Sequence, residues 1–341
     1  MRAVIFHGPG QLQVTDVPDP QPPAGGVVID TAFVGICGSD VRTWRYGNKR
    51  VSPPQILGHE VSGVVSYSDV RAIPSGSAVA VCPGVPCGRC RWCARGNSTL
   101  CTARQALAYD FPGGMSTSFA VPAASVLAGC VVPLPQTVSL RKGVLAEPLH
   151  TVINGQDIAQ VGAADSVLVI GLGPIGTLHA AVARSRGALP VRAVDLNPER
   201  VAAADRILGE GIAVELAASA AQLRALGPDG GWDVVIVAAG VAAALRTAID
   251  VAAPQGRVLA FAGFPTGKAD VGVDMNQLHY RQLSLLGSFG GTPQTFARAV
   301  AWLAANRLDA EEFTTVLPMA DVESGFGRIE AGVGLKTLLA P

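Results

Sequence analysis

The sequence predicts an α/β protein that combines a β-rich, barrel-like domain with a doubly wound parallel sheet. Before about residue 150, short β-branched runs such as EVSGVVSY alternate with proline and glycine, which is typical of turn-dense β structure. After it, the pattern becomes strand, glycine-rich turn and helix, several times over. Repeated βα units with buried apolar strands imply a parallel sheet that is covered by helices.

The elements follow this division in order. MRAVIFHGPGQLQV predicts a strand, a turn and a second strand, and PDPQPPAGG (18–26) predicts a rigid connector. Further strands are expected in VVIDTAFVGI, SAVAVCPG and TSFAVPAASV. Beyond residue 150, strands are expected at VLVI (167–170), VRAVD (191–195), WDVVIVAAG (232–240) and GRVLAFAGF (256–264), with an alanine-rich helix at 177–187. From about residue 287, a helix precedes short strand-like pieces.

The composition excludes several classes of protein. The 26 basic and 26 acidic residues cancel, which argues against nonspecific binding to nucleic acid or to an anionic membrane surface. There is no uninterrupted apolar run of about 18 residues, so no membrane span is expected. The N-terminal segment lacks the pattern of a secretory signal, and we therefore expect a cytoplasmic protein with reduced thiols.

A dinucleotide-binding turn is predicted at GLGPIG, which fits the pattern G-x-G-x-x-G after a buried strand and before a helix. The first glycine allows the tight turn, the second lets a pyrophosphate approach the backbone, and the third permits close packing of helix on strand. The helix N-terminus offers free N–H groups to the phosphates. The residues of this turn are Gly171, Leu172, Gly173, Pro174, Ile175 and Gly176.

Asp195 ends the next strand, 24 residues after Gly171, where a carboxylate can hold a ribose hydroxyl. A carboxylate in this place repels a 2′-phosphate, so NAD is favoured over NADP. Arg200 is a further, weaker candidate for cofactor binding. Gly263 and Ser288, which lie near the ends of the predicted strand 256–264 and of the segment SLLGSF (284–289), are also assigned to the cofactor site.

Four cysteines lie in one loop with the spacing C-x2-C-x2-C-x7-C. Four thiolates with this spacing can enclose one zinc ion tetrahedrally and leave no position for a substrate. An iron–sulfur cluster is the main alternative, whereas disulfides would need an oxidising compartment. The arginines of this loop are expected to be solubilising instead of binding nucleic acid. The four residues are Cys87, Cys90, Cys93 and Cys101.

A second metal site is predicted from GICGSD and LGHEVSG, which bring a thiol, an imidazole and a carboxylate into turn-bounded segments. Cys37, His59 and Glu60 together suit zinc, and Glu147 in LAEPLH is the fourth candidate. Three protein ligands with one open position are typical of a catalytic zinc site.

In these motifs and in their order, the chain resembles the zinc-dependent medium-chain dehydrogenases, the alcohol and polyol dehydrogenase superfamily. Glu147 stands where alcohol dehydrogenases have a second cysteine, which points to the sorbitol, polyol and threonine dehydrogenase branch. The resemblance implies that Cys37 and His59 bind a catalytic zinc, and that Glu60 and Glu147 either bind it or hold its water. The stretches that carry the resemblance are GICGSD (35–40), GHE (58–60), the four-cysteine loop, AEPL (146–149), GLGPIG with Asp195, and GLK (334–336).

The resemblance also implies the domain organisation. Residues 1–147 and 287–341 would form a GroES-like catalytic domain, and residues 148–286 a Rossmann NAD-binding domain, with the active site in the cleft between them. It further implies two zinc ions per chain, one catalytic and one structural, and a homodimer or homotetramer. SLLGSF (284–289) is the candidate interface strand.

The expected reaction transfers a hydride between a secondary alcohol (a polyol, sugar alcohol or cyclitol) and NAD, or reduces the ketone in reverse. Ser39 would accept the hydroxyl proton, although it is also placed to cap a helical turn that begins at Asp40. Arg42 occupies the place of the relay histidine of many relatives, and it cannot shuttle a proton. It would instead bind an anionic substrate or the cofactor phosphates, or simply lie at the surface.

Another departure from the family concerns the substrate side. Gly290 and Gly291 replace an Arg–Tyr pair of sorbitol dehydrogenases, which makes an ordinary linear hexitol less secure as substrate. The alternative functions are oxidation of a 3-hydroxy amino acid or amino alcohol in the manner of threonine dehydrogenase, and cofactor binding without catalysis. A nucleic-acid-binding zinc protein is disfavoured by the balanced charge.

Overall fold

A computed structural model describes residues 1–209, 212–216, 219–265, 267–305 and 308–341. The chain divides into two compact units. The first contains Met1–His150 and Gly291–Pro341, and the second contains Thr151–Gly290. The predicted domain limits lie within four residues of this division.

The strands and helices of the described residues are as follows. The strands are β1 (Arg2–Gly8), β2 (Gln11–Asp16), β3 (Val27–Gly35), β4 (Gln55–Ile56), β5 (Glu60–Ser68), β6 (Ala78–Val81), β7 (Gly84–Val85), β8 (Gln105–Ala106), β9 (Ser118–Val121), β10 (Val131–Pro133), β11 (Val167–Ile170), β12 (Val191–Asp195), β13 (Ala213–Leu216), β14 (Trp232–Val237), β15 (Ala252–Ala260), β16 (Ser284–Gly287), β17 (Thr314–Pro318) and β18 (Lys336–Ala340). The α-helices are α1 (Gly38–Tyr46), α2 (Arg91–Ala94), α3 (Ala123–Leu127), α4 (Leu140–Gly143), α5 (Ala146–Ile158), α6 (Pro174–Ser185), α7 (Pro198–Leu208), α8 (Ala220–Ala225), α9 (Ala242–Val251), α10 (Met275–Arg281), α11 (Pro293–Ala305), α12 (Ala310–Phe313) and α13 (Val322–Ala331). Two short 3₁₀ turns span Ser98–Leu100 and Met319–Asp321.

The first unit is built on a largely antiparallel sheet with the strand order β10-β6-β5-β3-β18-β17, in which β9 also pairs with β3. A smaller sheet has the order β2-β1-β4. Strand β18 pairs antiparallel with β3, so the last part of the chain completes the sheet that the first part begins. Apolar side chains of these strands and of α1 and α13 form one core. The β-rich domain that the sequence predicts is therefore confirmed.

The second unit is a six-stranded parallel sheet with the order β13-β12-β11-β14-β15-β16. Separate apolar clusters lie on its two faces, as expected for a doubly wound sheet whose strands are buried on both sides. The strand order reverses between β11 and β14: β12 and β13 are added on one side of β11, and β14 to β16 on the other. Ligands of such folds bind at the carboxyl ends of the strands at this point. The predicted doubly wound sheet is confirmed.

The helix predicted at 177–187 begins earlier, at Pro174, and ends at Ser185. Gly173 takes the N-cap position in an extended conformation, and the proline follows it directly. Proline suits the first helical position because its φ is already helical and its missing N–H would have no partner there. The glycine-rich turn thus runs straight into the helix.

No helix among the described residues combines the length and the apolar character that a membrane crossing requires.

Replacing Leu339 by alanine is expected to lower the free energy of unfolding by about 2–5 kcal/mol, because its fully buried side chain lies in the core of the first unit. Leu127→Ala is the matched control, since Leu127 is 87% exposed and should lose less than about 0.5 kcal/mol. Urea unfolding of both variants measures the difference. Equal midpoints would contradict the placement of β18 in the core.

Candidate metal and dinucleotide sites

Three of the predicted catalytic ligands meet at one point of the first unit. Cys37 is the N-cap residue of α1, while His59 and Glu60 stand where β5 begins. One thiol sulfur, one imidazole nitrogen and one carboxylate oxygen from these residues lie within 4.8 Å of one another. The register of β3 with β5, which sets Gly35 opposite Glu60, brings them together. This donor set fits zinc.

Asp40 orients the imidazole of this cluster. Its Oδ1 lies 3.5 Å from His59 Nδ1, and its Oδ2 accepts a hydrogen bond of 2.9 Å from the Cys37 amide. Burial alone would raise the pKa of Asp40, but the contacts with His59 and the Cys37 amide outweigh burial and lower it. A carboxylate on one imidazole nitrogen fixes the ring and leaves the other nitrogen to bind metal. Asp40 was not among the predicted site residues, although its place three residues after Cys37 is a visible signal.

Lys336 is a second residue of this cluster that the sequence did not single out, beyond its place in the GLK stretch. Its ammonium donates to the Ile36 carbonyl at 3.0 Å and to Glu60 Oε1 at 2.6 Å, and it also contacts Glu60 Oε2. Both side chains are buried. Burial alone would lower the pKa of Lys336, but the negative charges of Glu60 and Cys37 outweigh burial and raise it. The ammonium therefore stays charged.

Glu147 lies in the first turn of α5, is buried, and stands outside the group of atoms within 4.8 Å of one another. Its charge nevertheless interacts with those of the cluster. Its pKa is raised to about 7, mainly because of burial; the charge of His59 opposes this shift and the charge of Glu60 adds to it. The structure therefore brings three of the four predicted residues within 4.8 Å of one another, and the fourth interacts with them through its charge.

Ser39 and Arg42 occupy α1 beside this cluster. The alternative that Ser39 caps a helical turn from Asp40 is wrong, because α1 begins at Gly38 and is capped by Cys37. Ser39 is half-buried. Arg42 is exposed, and its guanidinium folds back over the start of α1, where a Cβ on Gly38 would lie 3.6 Å from its Nη1.

The four cysteines of the loop also converge, since their sulfurs all lie within 4.8 Å of one another. The Cys90 and Cys93 sulfurs are 3.6 Å apart, close to the ~3.8 Å that two thiolates have on one tetrahedral zinc. Backbone N–H groups lower the pKa of Cys90 to about 5, whereas desolvation and the Cys90 thiol raise that of Cys93 to about 12. Four sulfurs this close all ionise only around a cation, and all seven cysteines of the chain are free thiols.

The glycine turn of the second unit has the geometry that a dinucleotide requires. Gly171 has a φ of 103°, a conformation that favours glycine. A Cβ on Gly176 would lie 1.7 Å from the Gly171 carbonyl oxygen, so α6 packs as closely as only glycine allows. A Cβ on Gly173 would meet nothing within 4 Å, because this glycine faces open space. That open space at the N-terminus of α6 is where a pyrophosphate fits.

A cleft of about 460 Å³ adjoins this turn at the carboxyl ends of the strands. Asp195 lies on its wall, where its Oδ2 accepts a hydrogen bond of 2.7 Å from the Leu172 amide. Arg200 also lines the cleft, with its Nη1 3.8 Å from Asp195 Oδ2. The volume and the lining suit the adenosine half of a dinucleotide.

The two remaining cofactor candidates follow strands of the same sheet. Gly263 comes shortly after β15, and a Cβ there would meet nothing within 4 Å. Ser288 directly follows β16, and its buried hydroxyl has no hydrogen-bond partner among the described residues. Both stand at the carboxyl end of the sheet, the end at which such folds bind their cofactor.

The glycine at position 291 has a steric cause. A Cβ on Gly291 would lie 2.3 Å from Cδ2 of His150 and 2.7 Å from the Thr295 hydroxyl, so no larger residue fits beside them. Burial lowers the pKa of His150 to about 4, and the neutral ring packs edge-on against Phe296. His150 thus fills space that a larger residue at position 291 would need.

Two family models match most of the chain. The Alcohol dehydrogenase GroES-like domain matches residues 23–136, and the Zinc-binding dehydrogenase model matches residues 174–305. D-xylulose reductase A of Aspergillus oryzae is 32% identical over 351 residues, which cover 98% of this chain and 95% of that protein. The chain therefore belongs to the zinc-dependent medium-chain dehydrogenases, with a GroES-like domain and a Rossmann domain, and it is an oxidoreductase of the alcohol and polyol dehydrogenase type.

Solved structures agree with this assignment. A protein of Sinorhizobium meliloti 1021 with NADP bound has a TM-score of 0.90 at 27% identity, with coverage of 100% of this chain and 99% of that one. An E. coli CFT073 protein described as a short chain alcohol dehydrogenase, complexed with NADH, has a TM-score of 0.88 at 26% identity and the same coverage. The family uses zinc and a nicotinamide dinucleotide, which the donor sets and the open glycine turn of this chain accommodate.

Gly173→Ala is expected to weaken NADH binding at least about tenfold while leaving thermal stability unchanged, because the added methyl group meets the pyrophosphate and no protein atom. Gly162→Ala is the matched control, since its Cβ also meets nothing within 4 Å but lies outside the glycine turn. Titration of NADH fluorescence with each variant measures the affinity. Unaltered binding to Gly173→Ala would show that the pyrophosphate lies elsewhere.

Proposed function

We propose that this protein is an NAD-dependent dehydrogenase with two zinc ions per chain, which oxidises a secondary alcohol of a polyol, sugar alcohol or cyclitol to the ketone. The observation that carries the proposal is the meeting of Cys37, His59 and Glu60 at one buried point, in a chain that also has an open dinucleotide turn. The A. oryzae relative is named for a ketose, and reduction of a ketose carbonyl gives a secondary alcohol.

In this proposal Cys37, His59 and Glu60 would hold the catalytic zinc, and the buried Glu147 would either bind it or hold its water. The four-cysteine loop would hold the structural zinc. When bound, the catalytic zinc would supply the Lewis acidity that eases loss of the hydroxyl proton, and the nicotinamide would accept the hydride. The alcohol thus loses one hydride and one proton, and the products are a ketone, NADH and a released proton.

The side chains of the first unit have separate tasks in this reaction. Asp40 holds the His59 ring in the orientation that keeps its free nitrogen available to the metal. Ser39, the second residue of α1, accepts the hydroxyl proton of the substrate by hydrogen bond and passes it on. An arginine at position 42 cannot relay a proton as an imidazole does, so the proton would leave from Ser39 to solvent.

The preference for NAD rests on Asp195. Its carboxylate lines the cleft and points one oxygen at the glycine turn, where it accepts from Leu172. The ribose hydroxyls of NAD can donate to such a group, whereas the 2′-phosphate of NADP is repelled by it. Arg200 lies within 4 Å of the same carboxylate, and its positive charge offsets part of this repulsion. The preference for NAD therefore depends on the carboxylate of Asp195.

A second candidate function is oxidation of a 3-hydroxy amino acid or amino alcohol. The observation that favours it is the exposed Arg42 guanidinium, which folds over Gly38, the residue directly after Cys37. A guanidinium there would bind the carboxylate of an amino acid bidentately. A polyol offers no such anion, so comparison of the two substrate classes separates the candidates.

The assembly is proposed from the edge of the Rossmann sheet. Strand β16 is the edge strand, and its Leu285 is 41% exposed, so a second copy could extend the sheet there. A homodimer or homotetramer in the cytoplasm remains our expectation.

The proposed activity is tested by the formation of NADH absorbance with a panel of polyols, cyclitols and 3-hydroxy amino acids. We expect turnover with a secondary alcohol and two zinc ions per chain. Cys37→Ser should lose one zinc and at least about a thousandfold in kcat while binding NADH normally, because Cys37 and the glycine turn belong to different units of the chain. Cys90→Ser, which removes a ligand from the other site, is the control for zinc loss as such. If the Cys37→Ser variant holds only one zinc ion per chain and still has full activity, the proposal is contradicted.

Asp195→Ser is expected to reduce the ratio of kcat/KM for NAD to that for NADP at least about tenfold, since removal of the carboxylate ends its repulsion of the 2′-phosphate. Asp205→Ser is the control, because Asp205 is an exposed acidic residue of α7 that does not line the cleft. Steady-state kinetics with both cofactors measures the ratio. An unchanged ratio would assign the discrimination to another residue.

A further inference from the structure

The buried ion pair of Lys336 and Glu60 places a fixed positive charge directly behind the metal cluster. Both Glu60 oxygens contact the ammonium, and one carboxylate oxygen of Glu60 also lies within 4.8 Å of the cysteine sulfur and a histidine nitrogen. Glu60 therefore stands between two cations whenever a metal is bound. The two cations compete for the same lone pairs.

Glu60 is held in place by the close approach of Gly35 and by the ion pair with Lys336. Gly35 faces Glu60 in the register of β3 with β5, and a Cβ there would lie 2.2 Å from Glu60 Oε2 and 3.1 Å from Lys336 Cε. A glycine at position 35 is thus what leaves room for the pair. The ammonium is in turn anchored to the Ile36 carbonyl, immediately before Cys37. Glu60 is therefore confined by the packing around Gly35 and contacted on both oxygens by the Lys336 ammonium.

From this geometry we infer that Lys336 is a positioning residue which shares Glu60 with the catalytic metal and keeps this ligand exchangeable. The inference rests on the proposed function, since it takes the catalytic zinc as bound by Cys37, His59 and Glu60. Without the ammonium, Glu60 gives its full charge to the zinc. The metal is then held more firmly, and the Glu60 ligand leaves less readily when a substrate hydroxyl arrives.

The test measures zinc loss to an excess of a colorimetric chelator, with no substrate and no NAD present. Lys336→Met should slow zinc loss from the catalytic site about tenfold. The same change should have no effect in the Glu60→Gln background, because Lys336 acts through Glu60. Zinc loss from the four-cysteine loop is the internal reference and should stay constant in all variants. Lys49→Met, which removes an exposed lysine of the same unit, should match the wild-type protein.

Two results would overturn the inference. Slowing that persists in the Glu60→Gln background would show that Lys336 acts on the metal by charge alone, and unchanged release from folded Lys336→Met would show a purely structural role. Where Lys336→Met does not fold, Lys336→Gln gives the same comparison, since its amide keeps one hydrogen bond to Glu60. A chain that binds zinc only in the cysteine loop contradicts the proposed function instead, so the two failures are distinguishable.

Discussion

The pairing of β3 with β5 is the constraint on which the cluster of Cys37, His59 and Glu60 depends. It sets the end of one strand against the start of the other, so that Cys37 follows β3 at the point where His59 and Glu60 lead into β5. Strand β18 then joins the same strand β3 and delivers Lys336 beneath the carboxylate. A slip of one residue in this register would turn every side chain to the opposite face of the sheet. The chemistry of the site is therefore a property of strand register more than of any local motif.

The candidate sites of the two units are built from different kinds of residues. In the Rossmann unit, binding depends on missing side chains: Gly171 and Gly176 allow the tight turn and the close packing of α6, and Gly173 leaves the backbone open to a phosphate group. In the GroES-like unit, binding depends on charged side chains that are buried and mutually compensated, as in the pairs Asp40–His59 and Lys336–Glu60. Buried charges of this kind are costly unless each has a partner. The cluster as a whole stays neutral enough to be buried and still leaves donor atoms for a metal.

The sequence was sufficient where a motif is local. GLGPIG, the cysteine spacing and the βα alternation predicted the turn, the converging sulfurs and the parallel sheet, because each depends on neighbours along the chain. It was insufficient where function depends on contacts between distant strands. Nothing local reveals that Lys336 meets Glu60, since 276 positions separate them. The sequence pattern predicts the start of α6 three residues too late, at Thr177, because the GLGPIG motif includes Pro174 in the turn; proline is well suited to open a helix.

The way the chain enters and leaves its first unit also bears on how it folds. The Rossmann unit is one continuous segment, whereas the GroES-like unit is interrupted by it, and the Lys336 bond to Ile36 closes a loop of 300 positions. Since domains fold as units when their residues have emerged from the ribosome, the segment made second can fold first. Val34 and Gly35 of β3, which pair with β18, lack this partner until β18 is synthesised. The proposed metal ligands Cys37, His59 and Glu60 are therefore among the first residues to be made and among the last to reach their final surroundings.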